Sequence, residues 1–178
     1  MGFKIGWLAL RDVSVDEGLD LVGMRDTGVT SEIVEDGYGL TALSNGWVVV
    51  WFNEFGAIDA AEVSKICSSH EGLWVNLHEG VMYSEVGYVE NGVVHWFVAH
   101  DCAQGYFHLD CQGSPPYYAE IVSKLRSEQD ADGGENSDVD YAFDVPVELA
   151  FAMTGFRHDL FELPGHGELV WSILERRK

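Results

Sequence analysis

The chain has 178 residues, 47% of them hydrophobic, and it sets thirty Asp and Glu against ten Lys and Arg, for a formal charge of −20. A chain of this length buries roughly 70% of the surface it exposes when unfolded, and that hydrophobic fraction excludes a disordered polymer. The charge argues against partners of its own sign: phosphate backbones and anionic lipid headgroups are repelled, whereas basic proteins and divalent cations are drawn in.

The predicted elements begin with a strand over 3–10. Ser14 then stands three residues before Glu17, the spacing of a capping box, and Val15, Leu19 and Val22 follow at helical spacing. Residues 26–44 are rich in Gly, Thr, Ser and acids and read as a loop. After the Ser44-Asn45-Gly46 turn, 47–53 is a β-branched and aromatic run, which predicts a strand buried on both faces. Asp59 and Glu62 repeat the helix-start spacing ahead of Ala60, Val63, Ile66 and Cys67.

Strands are predicted over 73–79, 82–90 and 93–100, the last two joined by Asn91-Gly92, a strong hairpin signal. A further strand is predicted over 105–112, so that the middle of the chain reads as an antiparallel meander. Pro115-Pro116 opens a helix over about 117–129 with Tyr118, Ile121, Val122 and Leu125 on one face. Residues 130–140 read as a mobile acidic loop. Asp144 and Pro146 start another helix that Gly155 ends, and Leu169, Val170, Ile173 and Leu174 predict a last helix over 168–176. The expectation is one α+β domain over 1–178: an antiparallel meander packed by helices from both ends of the chain.

Three cysteines, Cys67, Cys102 and Cys111, form neither an even disulfide set nor a CxxC pair, and read as reduced thiols. Residues 1–10 are apolar but lack the basic start and cleavage site of a signal peptide. No apolar run approaches the roughly 20 residues of a membrane span. Cytoplasmic placement, without membrane or nucleic-acid partners, is the expectation.

Complete catalytic motifs are missing. Asp26-Thr27-Gly28 has the letters of the aspartic-protease triplet, but that chemistry needs two carboxylates sharing a proton, and the chain has one copy. Asp130-Ala-Asp132-Gly-Gly134-Glu135 fails the calcium-loop pattern, with Gly134, Glu135 and Tyr141 where an oxygen ligand, a glycine and a glutamate are wanted. No nucleophile elbow, phosphate loop or dinucleotide fingerprint is present, and no cofactor is implied. His95, His100, Asp101, His108 and Asp110 fall on adjacent predicted strands. Alternation puts His95 and Asp101 on one face and His100 on the other, and a favourable register would bring some of the five together as a metal or acid–base site.

The string of Ile5-Gly-Trp7, His78-Glu-Gly-Val-Met-Tyr83, His100-Asp101, Gly113-Ser-Pro-Pro116, Asp144-Val-Pro-Val-Glu-Leu-Ala150 and Thr154-Gly-Phe-Arg-His-Asp159 resembles a group of small acidic bacterial proteins. That likeness implies no activity. In size and charge alone, the chain also resembles the immunity proteins that bind bacterial toxins.

The leading expectation is therefore an immunity- or antitoxin-like binding protein for a basic partner such as a toxin domain. Its contacts would come from Glu32, Glu35 and Asp36 in one loop, from Asp130, Asp132, Glu135, Asp138 and Asp140 in another, and from Tyr83 and Tyr117 as aromatic anchors. The alternative is a small metal-dependent or acid–base hydrolase built on His95, His100, Asp101, His108 and Asp110. A third reading is a homo-oligomeric adaptor.

Overall fold

A computed structural model describes residues 2–177. In chain order its elements are β1 (Lys4–Arg11), α1 (Val15–Val22), β2 (Met24–Ser31), β3 (Tyr38–Ala42), β4 (Trp47–Phe52), α2 (Ala60–Ile66) and β5 (Glu71–His78). There follow β6 (Tyr83–Glu90), β7 (Val93–Asp101), β8 (Asp110–Gly113), α3 (Tyr118–Ala131) and α4 (Asp144–Thr154). The chain closes with β9 (Glu162–Leu163), β10 (Gly167–Glu168) and β11 (Trp171–Arg176). Nine strands form one sheet in the order β2-β11-β3-β4-β1-β5-β6-β7-β8, every pair antiparallel, and β9 and β10 make a separate small hairpin.

The alternation of side chains along a strand explains why the sheet is covered on both faces. In β1, Ile5, Trp7 and Ala9 join one apolar cluster while Leu8 and Leu10 join the other. All six residues of β4 are buried, with Trp47, Val49 and Trp51 on the first side and Val48, Val50 and Phe52 on the second. Leu19 of α1 and Val63 of α2 cover the Leu8 face. Leu125 of α3 and Val145, Val147 and Leu149 of α4 cover the Trp7 face. The fold is thus α+β, with the antiparallel meander β5-β6-β7-β8 and helices from both halves of the chain.

Local signals formed where a few neighbouring residues decide the geometry, with the Ser14 half of the expected capping box made and the Glu17 carboxylate turned toward His70. The Ser14 hydroxyl accepts the Glu17 amide at 3.2 Å, and Asp59 accepts the Glu62 amide at 2.8 Å. Asn91 and Gly92 take positive φ of 50° and 76°, as a two-residue turn between β6 and β7 requires. Removing the first cap with Ser14→Ala should cost about 1 kcal/mol, seen as a lower urea midpoint with an unchanged slope; an unmoved midpoint would mean that the cap contributes nothing.

Three predicted segments are corrected. The supposed loop over 26–44 contains β3 and most of β2. β2 is an edge strand whose residues 25–30 are all exposed, so no apolar alternation marks it. Asp26-Thr27-Gly28 is a kink in that strand: Asp26 accepts the Gly28 amide at 2.7 Å, Thr27 donates to the Ile173 carbonyl, and the register with β11 shifts there. An irregularity of this kind blunts an edge against pairing with other chains.

The predicted helix over 168–176 is instead β11, inserted between β2 and β3. Its short apolar run fits either period, and pairing with two distant strands decides for the extended form. The strand expected over 105–112 begins only at Asp110. Among the described residues no helix is long and apolar enough to cross a membrane.

Candidate functional site

The acidic segment that follows α3 lies against the end of β7 and the connection to β8, and one buried histidine joins them. His100 is fully buried (0% exposed). Its Nδ1 lies 2.8 Å from the His108 carbonyl oxygen and its Nε2 lies 2.9 Å from Asp140 Oδ2. A carbonyl and an ionised carboxylate only accept hydrogen bonds, so both ring nitrogens must donate, which is the imidazolium form. Burial pulls the His100 pKa down, but the hydrogen bonds it donates to Asp140 and to the His108 carbonyl, with the charges of Asp140 and Asp101, outweigh it and hold it above 6.5. Burial likewise pushes Asp140 up, yet its bond to His100, the imidazolium charge and the Ala142 and Phe143 amides hold it below its ordinary value.

The segment expected to be mobile is stitched from inside. Buried Gln129 donates through Nε2 to the carbonyls of Gly134 at 3.0 Å and Val139 at 2.9 Å, and its Oε1 accepts the Tyr141 amide at 2.9 Å. Ser137 donates to Asp132 at 2.7 Å, and the Tyr106 hydroxyl donates to Asp130 at 3.0 Å. Arg126 of α3 lies over the Phe107 ring, 5.0 Å from its centroid. The result is an open hollow of about 300 Å³ walled by Tyr106, Glu135, Ser137, Asp138 and Asp140, with Cys102 at its edge and no Lys, Arg or His in its lining.

This hollow gathers much of one predicted contact set. Glu135, Asp138 and Asp140 line it, Asp130 reaches it through Tyr106, and Asp132 braces it through Ser137. The rest lies elsewhere. Glu32, Glu35 and Asp36 are exposed on the connection between β2 and β3, at the other end of the sheet. Tyr83 is half-buried and donates to Glu85 at 2.6 Å; burial, then Glu85, pushes its phenol up. Tyr117 is exposed ahead of α3 beside Glu120 and Lys124.

The five residues of the hydrolase alternative do not converge. His95 is exposed, with Glu90 3.8 Å from its ring and the Tyr88 ring 5.8 Å away between centroids, and with none of the other four residues beside it. Asp101 caps the turn 102–104 by accepting the Ala103 amide. Asp110 is exposed opposite Ala99, and His108 supplies its backbone carbonyl to His100. Both nitrogens of His100 are engaged, so it has none free to take a proton from Cys102. The Cys102 thiol is itself pushed up by burial and by Asp140 and Asp101, which disfavours the thiolate a nucleophile needs. Among the described residues no group of three or more His, Cys, Asp and Glu side chains is placed to hold a metal ion.

Sequence reasoning missed Gln129, a polar residue in the stretch between Leu125 and the acids, whose burial depends on a loop folding back over it. It also missed a second, apolar cleft, which the core residues Trp51 and Trp171 line with Phe3, Phe156 and Glu32. Arg157, in the Thr154–Asp159 string, ties the end of α4 to Asp144, Glu148 and Asp159. Comparison of the chain with protein-family models, with curated proteins and with solved structures returns no match.

Proposed function

We propose that the chain is an acidic binding protein of the bacterial cytoplasm that neutralises a basic protein partner, in the manner of an immunity protein or antitoxin. The observation that carries this reading is the acid-walled hollow at the end of the sheet. Its lining offers Glu135, Asp138 and Asp140 and no cation, on a chain of formal charge −20. A lysine or arginine of the partner entering it would exchange hydration for charge-assisted hydrogen bonds. The long-range field would raise the encounter rate, and exposed Tyr117 offers an aromatic contact at the rim of α3. Because Gln129 and His100 hold the segment from beneath, little ordering entropy is left to lose on binding.

The test begins with identification of the basic protein that co-purifies from the native host. Its association rate is then compared for two variants of equal charge. Asp130→Asn, Glu135→Gln and Asp138→Asn together should slow association about tenfold at low salt, with the gap closing as salt is added. Asp16→Asn, Glu54→Gln and Glu168→Gln, exposed acids outside the hollow, should change it by less than about twofold. Equal slowing by both variants would mean that net charge acts without a site, and an unaffected rate in the first variant would remove the hollow from the interface.

A further inference from the structure

On the half of the sheet away from the acidic hollow, the start of β1, the connection after β2 and the segment after α4 enclose an aromatic cleft of about 230 Å³. Four of its rings pack edge to face against one another and form its floor, with Trp51, Phe156 and Trp171 largely buried. Phe3 and Trp51 are inclined by 78°, Trp51 and Trp171 by 65°, Phe156 and Trp171 by 81°, and Trp51 and Phe156 by 88°, with centroids 5.7–6.5 Å apart. Phe161 stands at the rim with 67% of its surface exposed, and Ile33 stands there with 42%. Apolar side chains held in water beside a preformed aromatic cavity suit a ligand that covers them.

The charges lining the cavity are one-sided. Its lining includes the exposed carboxylate of Glu32 and no Lys or Arg. The remaining ionisable wall is His158, buried edge-on to Phe3 at 5.0 Å and 3.7 Å from Glu79. Burial and the neighbouring Arg157, itself paired with Asp144, Glu148 and Asp159, lower its pKa against the pull of Asp159 and Glu79, so at neutral pH the imidazole adds no positive charge. An anion would meet the field of the whole chain and find no counter-charge. A neutral apolar molecule would gain the burial but not the carboxylate. A cation with an apolar body gains both, because ring faces carry negative potential and attract alkylammonium groups, most strongly at Trp.

We propose that this cleft binds a small, free N-alkylated ammonium ion, its methyl groups between Phe161 at the rim and the Phe3, Trp51 and Trp171 floor and its charge toward Glu32. The site shares no lining residue with the acidic hollow, so it stands or falls separately from the reading of that hollow.

Choline is the probe, and its uncharged isostere 3,3-dimethylbutan-1-ol is the control, both titrated at matched ionic strength into the full chain. The indole NMR signals of Trp51 and Trp171 are the readout. Choline should shift both and bind at least about tenfold more tightly than the alcohol. Glu32→Gln should weaken choline severalfold and leave the alcohol unchanged. Phe161→Ala, at an exposed position that does not threaten the fold, should weaken both. Equal binding of choline and alcohol would make the cleft a generic apolar cavity and overturn the proposal. Silent indoles in the presence of choline would overturn it as well. A trimethyllysine peptide that binds where choline does not would also overturn it, by moving the ligand from a free ion to a protein side chain.

Discussion

Asp140→Ala should lower the stability of the fold by about 3 kcal/mol near pH 5, the low end of the range for removing one partner of a buried pair, since Asp140 keeps some solvent contact. Near pH 9 the loss should be clearly smaller. The sign follows from the two directions of shift. His100 is raised above 6.5 in the folded chain, so its contribution is fully present below that value and is lost as pH rises through the folded pKa. Asp140 is lowered below 3.8, so its contribution is present above that value and is lost as pH falls through the folded pKa. The pair therefore stabilises most between about pH 4 and 6.5.

His158 works in the opposite sense: its pKa is lowered, and its contribution is lost as pH falls below 6.5. That background is common to wild type and variant, so the informative quantity is the difference between their urea-unfolding free energies across the pH range. A difference that is flat from mild acid to alkali would mean that His100 is neutral and that one of its two bonds is not made as described. Asp140→Asn should fall between wild type and Asp140→Ala, because the amide oxygen still accepts from Nε2 while the charge is gone.

The same pair shows which parts of the site could be read in advance. The acids of 130–140 are visible as composition, and their shared use of one hollow follows from their being neighbours in the chain. Their support is not visible, because His100 and Asp140 are 40 residues apart and meet only when α3 has folded back across the meander. Strand alternation already sets His100 on the face away from His95; the sequence does not show that its ring holds the acidic segment in place.

Sheet order has the same logic. Ser14 with Glu17, and Asn91 with Gly92, each fix their geometry within four residues, and the Ser14 cap and the two-residue turn both formed. β2 is specified by nothing within itself: Met24 lies opposite Arg176, and the residues that make the pairing are at the far end of the sequence. The aromatic cleft was hidden for a related reason. Trp51 and Trp171 are strand residues that look like core, and they become a cavity wall only because β11 enters the sheet beside β3.

Gly87 offers the second large effect, and it is set by the same cross-strand registry. In β6 it lies opposite Trp74 of β5 on one side and Phe97 of β7 on the other. The two rings stack across it with centroids 6.2 Å apart and planes inclined by 23°. A Cβ at Gly87 would collide with the six-membered ring of Trp74, which is 1% exposed and has nowhere to withdraw. Gly87→Ala should therefore cost about 1–3 kcal/mol through overpacking, against the ordinary gain of replacing a glycine within a strand.

A double-mutant cycle separates the collision from any general intolerance of the strand. Trp74→Leu alone leaves a cavity and costs roughly 3 kcal/mol. In that background Gly87→Ala should be close to neutral, giving a coupling of about 1–2 kcal/mol between the two sites. Additive losses would locate the intolerance in the β6 backbone and take the Trp74 ring out of the explanation. Strong coupling would show that this glycine is held by the ring above it, so that the stacked pair, rather than strand propensity, fixes how β5, β6 and β7 lie together beneath α2.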